Sequence, residues 1–150
     1  MGNFLKGTYT PRNPEKYVGK GEPYFRSSWE KRCFYYFDTN KNILEWASEN
    51  IAIQYFYPLD NKNHRYYPDI YCKVRKKDGD TATYVIEIKP YAQSVKPKPP
   101  KNKSAKAMRN YNNARQVVLK NEFKWKAAEE YCKKKGFTFR VITEKQIFPG

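Results

Sequence analysis

Asp69, Glu87 and Lys89 are the residues whose types and spacing could do chemistry in this chain of 150 residues. They sit in two short segments, Tyr66-Tyr67-Pro68-Asp69-Ile70-Tyr71 and Tyr84-Val85-Ile86-Glu87-Ile88-Lys89-Pro90, and both read as β-strand. In the second segment Ile86 and Ile88 fall on one face, while Val85, Glu87 and Lys89 share the other. A carboxylate and an ammonium group side by side on a buried face are costly to desolvate. A divalent cation would change that balance. Asp69 and Glu87 offer it oxygen ligands, and Lys89 could hold or polarise a water beside it. The competing reading is an ion network on an exposed sheet face, which would contribute little to stability.

The order Pro68-Asp69, then Glu87-Ile88-Lys89 about a hairpin later, resembles the core motif of the PD-(D/E)xK nuclease superfamily. Members often carry a glutamate on the helix before the hairpin, and Glu30 in Ser27-Ser28-Trp29-Glu30 takes that place. The resemblance implies a restriction-endonuclease-like α/β fold with a central mixed sheet flanked by helices. It also implies Mg²⁺ as cofactor, with Mn²⁺ as a substitute, held by Asp69, Glu87 and the Ile88 carbonyl. Glu30 would bind a second metal or a metal-bound water, and Lys89 would orient or deprotonate the attacking water. Products would be a 5′-phosphate and a 3′-hydroxyl. Ser27 and Glu30 also form the S-x-x-E pattern of a capping box, so Glu30 has two readings, cap and ligand.

A second resemblance covers more of the chain. The run Asn121-Glu122-Phe123-Lys124-Trp125-Lys126-Ala127-Ala128-Glu129-Glu130-Tyr131-Cys132, then Gly136-Phe137-Thr138-Phe139 and Ile142-Thr143-Glu144, is similar to head completion nucleases of T-even-like tailed bacteriophages. Phe37-Asp38-Thr39-Asn40 through Trp46-Ala47-Ser48-Glu49 fits the same group, and the plan is similar to TnsA-type endonucleases of transposons. This implies a DNA endonuclease acting on packaged phage DNA or at the head–neck junction. Phage head or neck proteins would be partners, and the host cytoplasm or the virion head or neck the location. The alternative is a non-catalytic DNA-binding or head–neck structural protein that keeps the nuclease fold.

Composition points the same way. Thirty Lys and Arg against fifteen Asp and Glu give a formal charge of +15, which favours a polyanionic partner, nucleic acid before an anionic membrane. No run is long enough to span a membrane. The N-terminus lacks the apolar core of a signal peptide and the Ser or Thr at position six of a myristoylation signal. Cys33, Cys72 and Cys132 lie far apart without zinc spacing and read as reduced, half-buried thiols. His64 has no catalytic partner in view and reads as a surface or turn residue. The length suits one domain over residues 1–150, with residues 1–23 as an extended, Gly-, Pro- and Lys-rich arm.

The elements that must position the site follow from periodicity and breakers. Ser27 caps a helix to about Phe37. Ile43–Ser48 reads as a short helix or turn that packs Trp46 inward. Ile51–Tyr57, Arg65–Lys76 and Thr81–Lys89 read as strands. Lys96 to Lys103 is a stiff basic loop in which Lys96, Lys98, Lys101 and Lys103 read either as contacts to a DNA backbone or as a solvated connector. A helix from Ser104 to Leu119 follows. A second, with Asn121 as N-cap, ends at Gly136 before a last strand, Phe137–Ile142. The order is α-β-β-β-α-α-β. Lys124, in the first turn of that second helix, reads as a DNA contact or a solvated lysine. No sequence-reading module is present, so weak sequence preference is expected.

Register decides whether the site exists. A two-residue Asp78-Gly79 turn would set Asp69 opposite Ile88 and send Glu87 to the other side of the sheet. A shared site requires a loop of odd length or one bulge. Three residues with Gly79 in a left-handed conformation would serve.

Overall fold

The structure, a computed structural model, describes residues 5–147, so Met1 to Phe4 of the expected arm lie outside the described residues. Two short strands, β1 (Gly7–Thr8) and β2 (Tyr24–Phe25), pair with each other ahead of helix α1 (Ser28–Thr39). Strands β3 (Ile43–Ser48), β4 (Ile53–Tyr57), β5 (Lys62–Tyr66), β6 (Ile70–Arg75) and β7 (Thr81–Ile88) follow. A long helix, α2 (Ala105–Lys135), then leads to β8 (Thr138–Ile142) and a last turn of helix, α3 (Glu144–Ile147). The central sheet has the order β3-β6-β7-β8, antiparallel except where β8 runs parallel to β7. It is a mixed sheet, and β7-α2-β8 is its crossover. Strands β4 and β5 form a separate hairpin. Among the described residues no helix is long and apolar enough to cross a membrane.

Alternation along the strands feeds two cores. On one face Ile70, Cys72 and Ile86 pack under Cys33, Phe34 and Phe37 of α1 and Ile147 of α3. The second core joins Ile53, Tyr55 and Tyr66 of the hairpin to Ala128, Phe123 and Trp125 of α2, with Phe139 of β8 packed against them. Helices thus cover both sides of the sheet.

Several expectations change. Ile43–Ser48 is a strand, not a helix or turn. Ile43 and Trp46 are both buried three residues apart, a helical spacing, because a bulge between Ile43 and Glu45 shifts the register. The expected strand Arg65–Lys76 breaks at Tyr67-Pro68-Asp69, since proline has no N–H for a ladder. Its two halves join different sheets. The two expected C-terminal helices are one, of 31 residues. Asn121 lies inside it, buried, and its Nδ2 donates to the Gln93 carbonyl at 3.2 Å instead of capping a helix. No Gly or Pro interrupts the run, and one interior Asn costs well under 1 kcal/mol of helix propensity, roughly.

The stretch before β2, expected as an extended arm, folds back along the domain. Val18 N–H donates to the Trp46 carbonyl at 2.9 Å, and the Tyr17 ring sits 4.7 Å from the Trp46 ring. Asp38, wholly buried at the end of α1, accepts hydrogen bonds from Tyr9 Oη at 2.6 Å and from the backbone of Arg12 and Asn13. The three cysteines are buried free thiols. His64 lies on β5 rather than in a turn and pairs with Asp60 at 2.7 Å.

Candidate active site

The connection between β6 and β7 decides the geometry. Arg75 pairs with Thr81, Lys76 N–H donates to the Asp80 carbonyl, and Gly79 has φ +90°. The loop is therefore the three residues Lys77-Asp78-Gly79, closed with a left-handed glycine. The ladder runs from there to Ile70 opposite Ile86. One step further, Asp69 comes opposite Glu87, on the same face. Oδ2 of Asp69 accepts a hydrogen bond from the Ile88 N–H at 2.7 Å.

The same row continues onto β3. Ser48 pairs with Ile70, and the Glu49 N–H donates to the Asp69 carbonyl at 3.0 Å. Glu49 has φ +47°, an uncommon conformation for a residue with a side chain. Its carboxylate pairs with Arg26, which sits just before the cap of α1. Glu30, on the first turn of that helix, accepts from the Arg26 N–H at 2.9 Å, while its own N–H is capped by Ser27 Oγ at 3.1 Å. Glu30 thus makes a cap contact and still lies close enough to Glu49 and Glu87 to feel their charge.

Glu87 is buried, with 5% of its surface exposed. Tyr66 Oη donates to its Oε1 at 2.7 Å, and Lys89 Nζ stands 3.5 Å from its Oε2. Lys124 reaches into the same place. Its Nζ lies 5.6 Å from the centre of the Tyr66 ring, and burial, then the Lys89 charge, lowers its pKa. The indole nitrogen of Trp125 lies close enough to the Tyr66 hydroxyl to influence its acidity, but outside hydrogen-bonding geometry.

Electrostatics mark the row as short of positive charge. Burial, then the neighbouring Glu87, pushes the Asp69 carboxyl well above its ordinary pKa, against the pull of the Ile88 N–H. Burial raises Glu87 too, although Tyr66, Lys89 and Lys124 oppose it. Burial also raises Glu30. Buried carboxylates held near one another are a donor set suited to a hard divalent cation. Among the described residues, however, no three His, Cys, Asp or Glu side chains form a ready-made metal cluster. Asp69 and Glu87 are the pair that fits one, with Glu30 at their edge.

Sequence reasoning brought Asp69, Glu87 and Lys89 together and left Glu30 undecided; the structure sets Asp69 opposite Glu87 with Lys89 3.5 Å from the Glu87 carboxylate, and Glu30 near enough to feel the charge of Glu87. It missed Arg26, Glu49 and Tyr66. Tyr66 carried only a weak signal, as an aromatic residue three positions before Asp69 at the end of a polar strand. Glu49 and Arg26 carried none, because a bulge and a helix cap place them. Of the loop lysines, Lys96 lines, with Pro97, a cleft beside Tyr111 and Arg115 of α2.

A central mixed sheet with a β-α-β crossover and a row of carboxylates at the strand ends defines a restriction-endonuclease-like nuclease domain. Residues 40–144 match the family of the TnsA-like endonuclease N-terminal domain, and the chain belongs to that family. It is also 36% identical over 139 residues to the head completion nuclease of Enterobacteria phage T4, covering 92% of this chain and 90% of that protein. The family match, over residues 40–144, contains Asp69, Glu87 and Lys89 and begins after Glu30.

Proposed function

We propose that this protein is a metal-dependent DNA endonuclease of the PD-(D/E)xK type that acts on phage DNA during head completion. One observation carries the reading: the three-residue loop sets Asp69 opposite Glu87 with Lys89 3.5 Å away. Asp69, Glu87 and the Ile88 carbonyl would hold Mg²⁺, and Mn²⁺ would suit the same oxygen donors. Glu30 would bind through its free edge or through water. A cation bound there supplies charge neutralisation at phosphorus and a more acidic water.

The protein's own groups do the rest. The Ile88 N–H fixes the Asp69 carboxylate, and the Tyr66 hydroxyl fixes that of Glu87. Lys89 Nζ is positioned to hold the attacking water or take its proton, and to neutralise charge on the phosphate. Lys124 adds a second cation at the rim, next to Lys89. The excess charge of +15 draws the polyanion in, with Lys96, Lys98, Lys101 and Lys103 as further contacts to its backbone. The named relative and the family both favour a nuclease over a structural protein that only keeps the fold. Phage head or neck proteins would then be its neighbours, and the infected cytoplasm or the virion its place of action.

The test is incubation with supercoiled plasmid and with linear duplex, each with Mg²⁺ and with EDTA. Nicked or linearised plasmid in Mg²⁺ alone is the expected result. Binding without cleavage under every metal condition would replace the endonuclease reading with that of a DNA-binding structural protein.

A further inference from the structure

The first half of α2 has no place in the chemistry above. Residues 105–117 are exposed or half-buried, and burial on this helix begins only at Val118. Charge along the helix is segregated. From Ala105 to Asn121 there are Lys106, Arg109, Arg115 and Lys120 and no acid, whereas Glu122, Glu129 and Glu130 all lie beyond. A merely solvated face gains from mixed charges at i,i+4 spacing, and this half-helix forgoes them.

Most of the basic side chains and two of the amides also line up, whereas Asn112, Arg115 and Gln116 face the other way. At 3.6 residues per turn, Lys106, Asn110, Asn113, Lys120 and Lys124 fall within about 40° of one line along the helix, with Arg109 at its edge. The inner end of that line is Lys124 over Tyr66, beside Glu87 and Lys89. The outer residues of the line, Lys106, Asn110 and Asn113, and Arg109 at its edge, are exposed. From Lys124 to Lys106 is about 27 Å of helix, which matches roughly eight base pairs of duplex. The opposite side of α2 faces the cleft of about 690 Å³ that holds Lys96, so line and loop are separable.

We propose that this stripe is a track for the backbone of duplex DNA running outward from the row of carboxylates. The inference rests on the nuclease reading and extends it, by assigning the flanking duplex to α2. Lys106 and Arg109 take phosphates, Asn110 and Asn113 donate to phosphate oxygens, and Lys120 hands the strand to Lys124 beside Glu87 and Lys89. Contacts of this kind position the duplex without reading its sequence.

The test compares three forms of the full chain: the native protein, Lys106→Ala/Arg109→Ala, and a control of equal charge loss at the far end of the same helix, Lys133→Ala/Lys134→Ala. Binding of fluorescent duplexes several helical turns long is measured over a salt series, with cleavage at saturating DNA in parallel. Both outer side chains are exposed and alanine is a better helix former, so the fold is kept; circular dichroism checks it. The expected result is a fall of about two units in the log–log salt slope for the stripe variant alone, equal weakening for unrelated sequences, and undiminished cleavage at saturation. An unchanged slope in the stripe variant, or an equal fall in the control, overturns the track while native cleavage leaves the nuclease reading standing. A native protein that neither binds nor cleaves duplex sinks both.

Discussion

The backbone N–H of Ile88 donates to Oδ2 of Asp69 across 2.7 Å, so the end of one strand holds the carboxylate of its neighbour. Asparagine keeps an oxygen acceptor for that bond and removes the charge. Asp69→Asn, Glu87→Gln and Lys89→Ala are each expected to reduce cleavage by orders of magnitude with DNA affinity largely kept. Stability moves the other way. Burial raises the Asp69 pKa in the folded protein, so the folded state binds its proton more tightly than the unfolded chain. Stability therefore falls as pH rises from the ordinary carboxylate value through the raised one. Asp69→Asn should melt higher than the native protein at neutral pH without divalent metal, and the difference should shrink in acid. Full cleavage by Asp69→Asn would remove Asp69 from the site.

Glu30→Gln separates two roles that share one side chain. Its Oε1 accepts from the Arg26 N–H, and glutamine can do the same. The helix cap should survive, so an unchanged melting temperature and a large loss of plasmid cleavage are expected. Lost stability with cleavage retained would make Glu30 a cap only.

The β6–β7 loop is a third test. Gly79 has φ +90°, and a Cβ there would meet nothing within 4 Å, so Gly79→Ala meets only backbone strain. It should destabilise by about 1–2 kcal/mol in urea unfolding and leave the site intact. Deleting Thr83 from β7 with the loop kept should instead abolish cleavage, because it slips that strand by one residue and sets Asp69 against Ile88. An active deletion variant would show that register is not what builds the site.

The parts of the fold that read cleanly from sequence were those governed by local rules. Ser27 caps α1 and Gly136 ends α2 in a left-handed conformation, as their residue types require. Gly79 and the need for a shared face together gave the odd loop. What failed was decided by tertiary packing. Trp46 pulls Ile43–Ser48 into a strand among Tyr9, Tyr17 and Phe34, and a bulge disguises that strand as helix. Asn121 looks like a cap and is a buried donor to Gln93. Arg26 and Glu49 lie 23 residues apart and meet only once α1 has docked beside β3.

The buried Asp38 makes a prediction about acid. Burial alone would push its carboxyl up, but hydrogen bonds from Tyr9, Arg12 and Asn13 outweigh that and hold it below its ordinary range. The stability it contributes is present above the unfolded carboxylate value and is lost as pH falls through the depressed folded one. Tyr9→Phe removes one donor and should cost about 1–3 kcal/mol near neutral pH. The gap to the native protein should close in strong acid, where Asp38 is protonated in both. A gap independent of pH in urea titrations would assign the loss to ring packing instead.

Tyr66 tests whether Glu87 is tuned as well as held. The phenol donates to Oε1 of Glu87 at 2.7 Å and is the largest influence lowering that carboxyl against burial. Phenylalanine would keep the ring beneath Lys124 and remove the donor. The Glu87 pKa should then rise further, so less of it is ionised at a given pH. The acidic limb of the cleavage profile should move to higher pH in Tyr66→Phe, with kcat reduced near neutrality and recovered toward alkaline pH, and KM little changed. Tyr55→Phe, in the same hairpin core but away from Glu87, should leave the profile where it is. An acidic limb that stays in place in Tyr66→Phe, with kcat lowered equally at every pH, would mean that the hydroxyl orients Glu87 without setting its charge.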